Sequence, residues 1–220
     1  MIIWLASYPK SGNTWMWFFI KSYFNPPNKK FSLNHDKDDP YLLETFPTQK
    51  RFKQLNIKYD DFLDLSKNWI NLQSLINLNN KINYVKTHNA MCTVNNYKFT
   101  DMHNTLGAIY IVRDPRDVLI SYSSYMEKSV DETLKFMLNK ETYEVGEFKK
   151  KIYNKTLLGS WSDHYNSWKN YKSREIIIIK YEDMVNSASS TFQEVLTYLS
   201  KIIKIDVDHA KVDKAIEETS

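Results

Sequence analysis

The sequence has 220 residues with a formal net charge of +4, and 42% of them are hydrophobic, enough for one α/β domain with a sizeable core. The modest charge fits an anionic ligand, but no basic block indicates nucleic-acid binding. Cys92 is the only cysteine, which excludes an intramolecular disulfide and favours a reducing compartment.

The first predicted elements are a buried strand over residues 2–6 and a buried helix that begins near Trp15, with a tight turn between them. Residues 8–14 of this turn carry Lys, Ser, Gly and Thr. A helix N-terminus offers unpaired N–H groups and the positive end of the helix dipole, so this turn predicts a P-loop-like phosphate cradle. The alternative is a capped helix start with an exposed lysine.

The N-terminal apolar stretch does not resemble a targeting or membrane segment. It has no preceding basic region, and Lys10 and Asn13 interrupt it before it reaches membrane-spanning length. We therefore expect a cytoplasmic protein with no membrane partner.

Residues 25–80 are less regular and rich in Pro, Asn and Lys, with a possible helix pair between Tyr59 and Leu78. A long insert between the first two strands of an α/β sheet is a natural cover for an active site. We predict that this insert shapes the acceptor site, the pocket for the small molecule on which the domain acts.

Three more apolar runs of strand length follow, and they are uninterrupted, as in strands covered on both faces. They lie at residues 82–86, 108–112 and 176–179. Helices are predicted from Pro115 to about Tyr125 behind an Asp114 cap, from Leu157 to Tyr171, and around residues 192–199. The alternation predicts a single domain over 1–220 with a doubly wound α/β fold, in which helices flank a mainly parallel central sheet.

Ligands of open α/β sheets bind beyond the carboxyl ends of the strands, where this sequence concentrates polar residues. His88, next to Lys86, is a candidate general base, although a buried core histidine is the alternative. Arg113 suits a phosphate, although an ion pair with Asp114 or Asp117 is the alternative.

Further polar residues lie at or after the ends of the predicted strands. Tyr181 follows the fourth strand, and Ser121 lies two turns into the helix after Arg113, where it could also be an ordinary surface serine. Arg116 is predicted to be solvated or structural. We see no cluster of metal-ligating residues.

These segments together resemble the cytosolic-type sulfotransferases that use 3′-phosphoadenosine-5′-phosphosulfate (PAPS). The family's phosphosulfate loop, Tyr-Pro-Lys-Ser-Gly-Thr-Thr-Trp, is matched by residues 8–15 with Asn13 in place of the first Thr. Its Lys-Thr-His is matched by residues 86–88, and its Arg, Pro and Ser of the 3′-phosphate segment by Arg113, Pro115 and Ser121. Residues 159–164 and 181–184 also match family segments in the expected order.

The resemblance implies transfer of a sulfuryl group from PAPS to a hydroxyl or amine of a small acceptor, without a metal, leaving adenosine 3′,5′-bisphosphate (PAP). His88 would be the base, with Lys86 near the sulfuryl group and Lys10 on the leaving phosphate oxygen. The remaining roles that the resemblance implies are 5′-phosphate binding by Ser11, Gly12, Asn13 and Thr14, adenine contacts by Trp15 and Tyr181, and 3′-phosphate binding by Arg113 and Ser121.

One departure from the family concerns its final segment, which begins with Thr-Ser-Phe and contains Arg-Lys-Gly. The sequence ends at Thr219 and Ser220, where that segment would begin. Such a fragment, or a chain that has lost this lid, is expected to bind the nucleotide weakly and to turn over poorly.

Two other interpretations remain open. A P-loop kinase also binds phosphate at a turn between a strand and a helix. However, Lys10 precedes Gly12, whereas Walker A places its lysine after the second glycine. A degenerate, non-catalytic nucleotide-binding module is the second.

Overall fold

The computed structural model describes residues 1–26, 31, 44–48, 52–53, 55–57, 62–145 and 155–219. Its strands are β1 (Ile2–Ser7), β2 (Glu44–Thr45), β3 (Asn83–Thr87), β4 (Thr93–Val94), β5 (Tyr97–Lys98), β6 (Thr105–Val112), β7 (Tyr143–Val145), β8 (Lys155–Leu157) and β9 (Ile176–Lys180). Its helices are α1 (Asn13–Tyr23), α2 (Phe62–Lys67), α3 (Trp69–Asn77), α4 (Pro115–Met126), α5 (Val130–Leu138), α6 (Trp161–Lys169), α7 (Tyr181–Asn186), α8 (Ala188–Ile203) and α9 (His209–Thr219).

The centre of the fold is a parallel five-stranded sheet with the order β2-β3-β1-β6-β9. Successive residues of β1 point to opposite faces of the sheet. Ile3 and Leu5 pack against α1, α8 and α9, whereas Ile2 and Trp4 pack against α2, α3 and α6. All four side chains are fully buried, so both faces of the central strand are covered. The predicted doubly wound α/β fold is confirmed.

The predicted start of α4 is also confirmed. Pro115 is its first residue, and the Asp114 side chain caps it by accepting a hydrogen bond from the backbone N–H of Arg116. The expected helix pair between residues 59 and 78 corresponds to α2 and α3. Most of the remainder of the predicted 25–80 insert lies outside the described residues.

Several predicted boundaries were wrong. The strand expected over residues 108–112 begins at Thr105. The strand expected from Ile82 begins at Asn83, because Asn83 is already paired with Ile2, the first residue of β1. The helix expected from Leu157 begins at Trp161, because Leu157 belongs to β8 and Ser160 caps the helix by accepting a hydrogen bond from the N–H of Asp163.

Strands β7 and β8 form an antiparallel pair that the sequence did not predict. The pair is attached to the segment after β3: the N–H of Ala90 donates to the carbonyl of Leu157 at 2.7 Å, and the N–H of Leu157 donates to Asn89 Oδ1 at 3.0 Å. The β7–β8 pair is therefore held beside the carboxyl end of the sheet. Within the described part of the chain, no helix combines the length and the apolar character that crossing a membrane requires.

Candidate active site

A cleft of about 460 Å³ lies at the carboxyl end of the parallel strands. It brings together residues from the ends of β1, β3, β6 and β9, as expected for an open α/β sheet. The described residues that line it are Pro9, Lys10, Ser11, Gly12, Asn13, Thr14, Lys86, His88, Arg113, Ser121, Tyr125, Glu144 and Tyr181.

The turn between β1 and α1 depends on left-handed backbone conformations. Gly12 has a φ of +93° and precedes the first helical residue, and Lys10 has a φ of +66°. A Cβ atom at position 12 would collide with Cδ2 of the Tyr181 ring. The N–H groups of Trp15 and Met16 donate to the carbonyl of Gly12. Those of Asn13 and Thr14, the first two residues of α1, have no acceptor within the helix and are available to a ligand.

Asn13 anchors this turn. Its buried amide nitrogen donates to the carbonyl of Leu5 at 2.8 Å and to the hydroxyl of Ser7 at 3.2 Å. The side-chain nitrogen is thus occupied by β1, and only other groups of Asn13 remain for a bound anion.

Positive charge converges on the turn from β3 and β6, the two strands that flank β1. The Lys86 ammonium, from β3, donates to the hydroxyl of Thr14 at 3.0 Å, and burial lowers the pKa of this lysine. Arg113, at the end of β6, donates from Nη1 to the carbonyl of Lys10 at 3.1 Å. Its guanidinium carbon lies 4.4 Å from the centre of the Tyr181 ring.

Three buried polar atoms of the cleft residues have no hydrogen-bond partner among the described residues: the hydroxyl of Ser11, Oδ1 of Asn13 and Nε of Arg113. The first and the last of these are donors. A buried donor without a partner is costly, and an oxyanion would satisfy both. Together with the free helix N-terminus, these donors make the turn suited to phosphate groups.

His88 projects into the cleft beside Lys86. Its Nδ1 atom lies 2.8 Å from the carbonyl oxygen of Ser7. A carbonyl only accepts, so Nδ1 carries the hydrogen and Nε2 of the neutral ring is left as an acceptor. Burial, and next the charge of Lys86, lower the pKa of His88 to about 3, which keeps the ring neutral. His88 thus lines the cleft with a neutral ring whose Nε2 can accept a hydrogen.

His164 is the fully buried histidine beneath this site. Its Nε2 lies 3.0 Å from the carbonyl oxygen of His88 and its Nδ1 lies 2.8 Å from the hydroxyl of Tyr110. Since the carbonyl accepts, Nε2 of His164 donates and Nδ1 receives the tyrosine hydrogen. His164 therefore holds the backbone of His88, a role that the sequence analysis did not assign.

Glu144 on β7 lines the cleft, and the sequence analysis did not identify it. The hydroxyl of Tyr122 donates to its Oε1 at 3.4 Å, and burial raises the pKa of the carboxyl group while the charge of Lys86 lowers it. No periodic pattern in the sequence indicates a strand at residues 143–145, so no signal pointed to this residue.

The structure pairs Trp15 and Asp114 with side chains of the chain itself. Trp15 does not line the cleft; its ring meets Tyr181 and Phe192 edge-on, with centroid separations of 6.4 and 5.6 Å. Asp114 pairs with Arg116, whose side chain is 88% exposed. Asp114 is thus engaged by the neighbouring arginine, and Arg116 has the solvated, structural role that was predicted for it.

The family model and the curated relatives that match this chain belong to one family. The family described as "Sulfotransferase domain" matches residues 2–220. The 3-alpha-hydroxysteroid sulfotransferase of Cavia porcellus is 22% identical over 204 residues, which cover 90% of this chain and 58% of that protein. Sulfotransferase 1C2 of Homo sapiens is 29% identical over 118 residues, which cover 53% of this chain and 36% of that protein.

Solved structures share the fold. Mouse sulfotransferase SULT7A1 complexed with PAP superposes with a TM-score of 0.59 at 20% identity. Retinol dehydratase in complex with androsterone and inactive cofactor PAP superposes with a TM-score of 0.58 at 16% identity. Each match covers 100% of this chain and 64% of the other, so the chain spans less than two thirds of the length of these relatives.

Proposed function

The chain belongs to the sulfotransferase domain family, and on that basis we propose that it transfers a sulfuryl group from PAPS to a hydroxyl or amine of a small acceptor. The observation that carries this proposal is the convergence of Lys10, Lys86, His88 and Arg113 on one cleft. The unpartnered donors of Ser11 and Arg113 support the fit of a phosphorylated ligand.

The turn before α1 would hold the 5′-phosphate of PAPS. Ser11, Gly12 and Thr14 line the cleft at the helix N-terminus, and Asn13 keeps the turn attached to β1. Oxyanions are stabilised at such a terminus by the N–H groups and by the helix dipole.

Arg113 and Ser121 would bind the 3′-phosphate. The free Nε of Arg113 is a charged donor, and the serine lines the same cleft one element further along. The ring of Tyr181 would contact the adenine, and Trp15 would support that ring by packing edge-on against it.

When bound, PAPS supplies the activated sulfuryl group. Transfer in line between two oxygens resembles phosphoryl transfer, in which positioning and charge stabilisation provide most of the catalysis. Lys10 and Lys86 would stabilise the negative charge that develops between donor and acceptor. His88 would use its free Nε2 to accept the proton that the acceptor loses as its new bond to sulfur forms.

Nucleotide-dependent thermal stabilisation tests the proposal against its alternatives. We expect PAP to raise the melting temperature of the chain and Mg-ATP to leave it unchanged. Transfer of a labelled sulfuryl group from PAPS to a panel of phenols and alcohols is the second measurement. Stabilisation by Mg-ATP alone would indicate a kinase, and PAP binding without any transfer would indicate a non-catalytic module.

A further inference from the structure

The cleft contains one carboxylate among its described lining residues, that of Glu144. The other charged side chains of this lining are the cations Lys10, Lys86 and Arg113, beside the His88 ring. Three cations suit a nucleotide that carries several negative charges. A carboxylate does not, because like charges in a partly buried cleft repel each other.

The position of Glu144 is fixed by the structure around the base. Glu144 pairs with Thr156 in the β7–β8 ladder, and the neighbouring residue Leu157 exchanges two hydrogen bonds with the segment that directly follows His88. Glu144 is therefore tied to the His88 side of the cleft and to a different element from the phosphate-binding turn. This side is where the nucleophile of an acceptor must lie to reach the base.

Among the described residues, the carboxylate accepts one hydrogen bond, from the hydroxyl of Tyr122, which is long at 3.4 Å. The Lys86 ammonium attracts it but donates a hydrogen bond to Thr14. A half-buried carboxylate without a close cationic partner in the described part of the chain is expensive, and a cation delivered by a ligand would compensate it.

We propose that Glu144 binds the acceptor and selects small acceptors that carry an ammonium group in addition to the reacting hydroxyl. The ammonium group pairs with the carboxylate while the hydroxyl lies at Nε2 of His88. This inference rests on the proposed sulfuryl transfer and names the substrate class of the same cleft.

Matched acceptors test the inference by binding alone. Each is titrated by calorimetry into the chain saturated with PAP, so that a ternary complex forms without turnover. The phenol pair is tyramine and 4-propylphenol, and the aliphatic pair is 5-aminopentan-1-ol and hexan-1-ol; in each pair an ammonium group replaces a methyl group. We expect the ammonium member of at least one pair to bind about tenfold more tightly or better, as for other hydrogen bonds between charged groups.

The variant Glu144→Gln keeps the shape of the side chain and removes its charge. It should abolish the preference within each pair while PAP affinity stays the same or rises. Glu141→Gln, an exposed residue just before the same strand, is the matched control and should keep the preference.

The outcomes are distinguishable. Equal affinities within both pairs for the unmodified chain, with PAP bound, would overturn the inference and leave the proposed function standing. An equal loss for both members of a pair in Glu144→Gln would also overturn it, because the carboxylate would then serve Lys86 alone. Failure of PAP itself to bind would instead contradict the proposed function. The unmodified chain gives the decisive comparison even if the variant does not fold.

Discussion

Nδ1 of His88 lies 2.8 Å from the carbonyl oxygen of Ser7, the residue that ends β1. The hydroxyl of the same serine accepts a hydrogen bond from Asn13 in the turn proposed to bind phosphate. One residue of the central strand therefore fixes both the tautomer of the proposed base and the start of α1. A substitution of Ser7 removes the hydroxyl that contacts Asn13 and lies 3.3 Å from Nδ1 of His88, but it keeps the backbone carbonyl.

Replacement of His88 tests the proposed base. His88→Ala should lower the rate of sulfuryl transfer by about 10²–10⁴-fold, the usual contribution of a positioned general base. PAP binding should be nearly unchanged, because the imidazole is assigned to the acceptor and not to the nucleotide. Rates of transfer and calorimetric affinity for PAP check this, with His209→Ala on the exposed start of α9 as the control. Turnover of His88→Ala at the rate of the unmodified chain would show that His88 is not the general base.

Lys10 is predicted to act on the charge that develops during transfer. Lys10→Ala should reduce turnover by about 10²–10³-fold, as found when a charge-stabilising donor is removed from an active site. Lys172→Ala removes the same charge from an exposed position and should have no effect. The measurement is single-turnover transfer at saturating PAPS. A loss confined to PAPS affinity would show that Lys10 binds the ground state only.

Arg113→Lys should weaken PAP binding by about tenfold or more although the charge is kept. The guanidinium reaches the carbonyl of Lys10 with one nitrogen, faces Tyr181, and still has Nε free, a set of contacts that a single ammonium cannot reproduce. Calorimetric titration of PAP provides the measurement. Arg116→Lys, at an 88% exposed side chain, is the control and should match the unmodified chain. Equal affinities for all three proteins would contradict the assignment of Arg113 to a phosphate.

The convergence of Lys10, His88 and Arg113 could be predicted because parallel strands present their carboxyl ends on one edge of a sheet. β1 and β6 are mainly apolar, so their ends could be read from the sequence, and β3 could be placed from its shorter apolar run at Tyr84 and Val85. Glu144 could not be found in this way, since β7 is three residues long and is stabilised by pairing with β8 instead of by its own composition. Nor could the packing of Trp15 behind Tyr181, which depends on where α8 presents Phe192.

Acid should destabilise the fold through His164 and His88. Burial lowers the pKa of His164 to about 4 and that of His88 to about 3, below the ordinary value of 6.5. Between these values and 6.5 the unfolded chain binds more protons than the folded one, so stability rises with pH in this window and is lost as pH falls below 6.5. Each histidine contributes a slope of up to about 1.4 kcal/mol per pH unit.

Urea denaturation between pH 7 and pH 4.5 measures this slope. His164→Gln removes one titrating group and should flatten the dependence, although the variant will be less stable at neutral pH. His209→Gln on the surface is the control and should leave the slope unchanged. A profile for His164→Gln as steep as that of the unmodified chain would show that His164 does not carry the effect.

Gly12→Ala should damage the nucleotide site through Tyr181. The left-handed φ of +93° costs an alanine about 1–2 kcal/mol, and its Cβ would collide with the Tyr181 ring. The ring must move to relieve this contact, and it then leaves the Arg113 guanidinium that faces it at 4.4 Å. We therefore expect Gly12→Ala to lower both the stability of the chain and its affinity for PAP.

A double-mutant cycle with Tyr181→Ala separates the two costs. The truncated side chain removes the steric contact but not the backbone strain, so Gly12→Ala should cost less PAP affinity in the Tyr181→Ala background than alone. The loss of stability from the backbone conformation should persist in both backgrounds. Strictly additive effects on PAP affinity would mean that the glycine acts only through the shape of the turn, and that Tyr181 is not displaced by a methyl group at position 12.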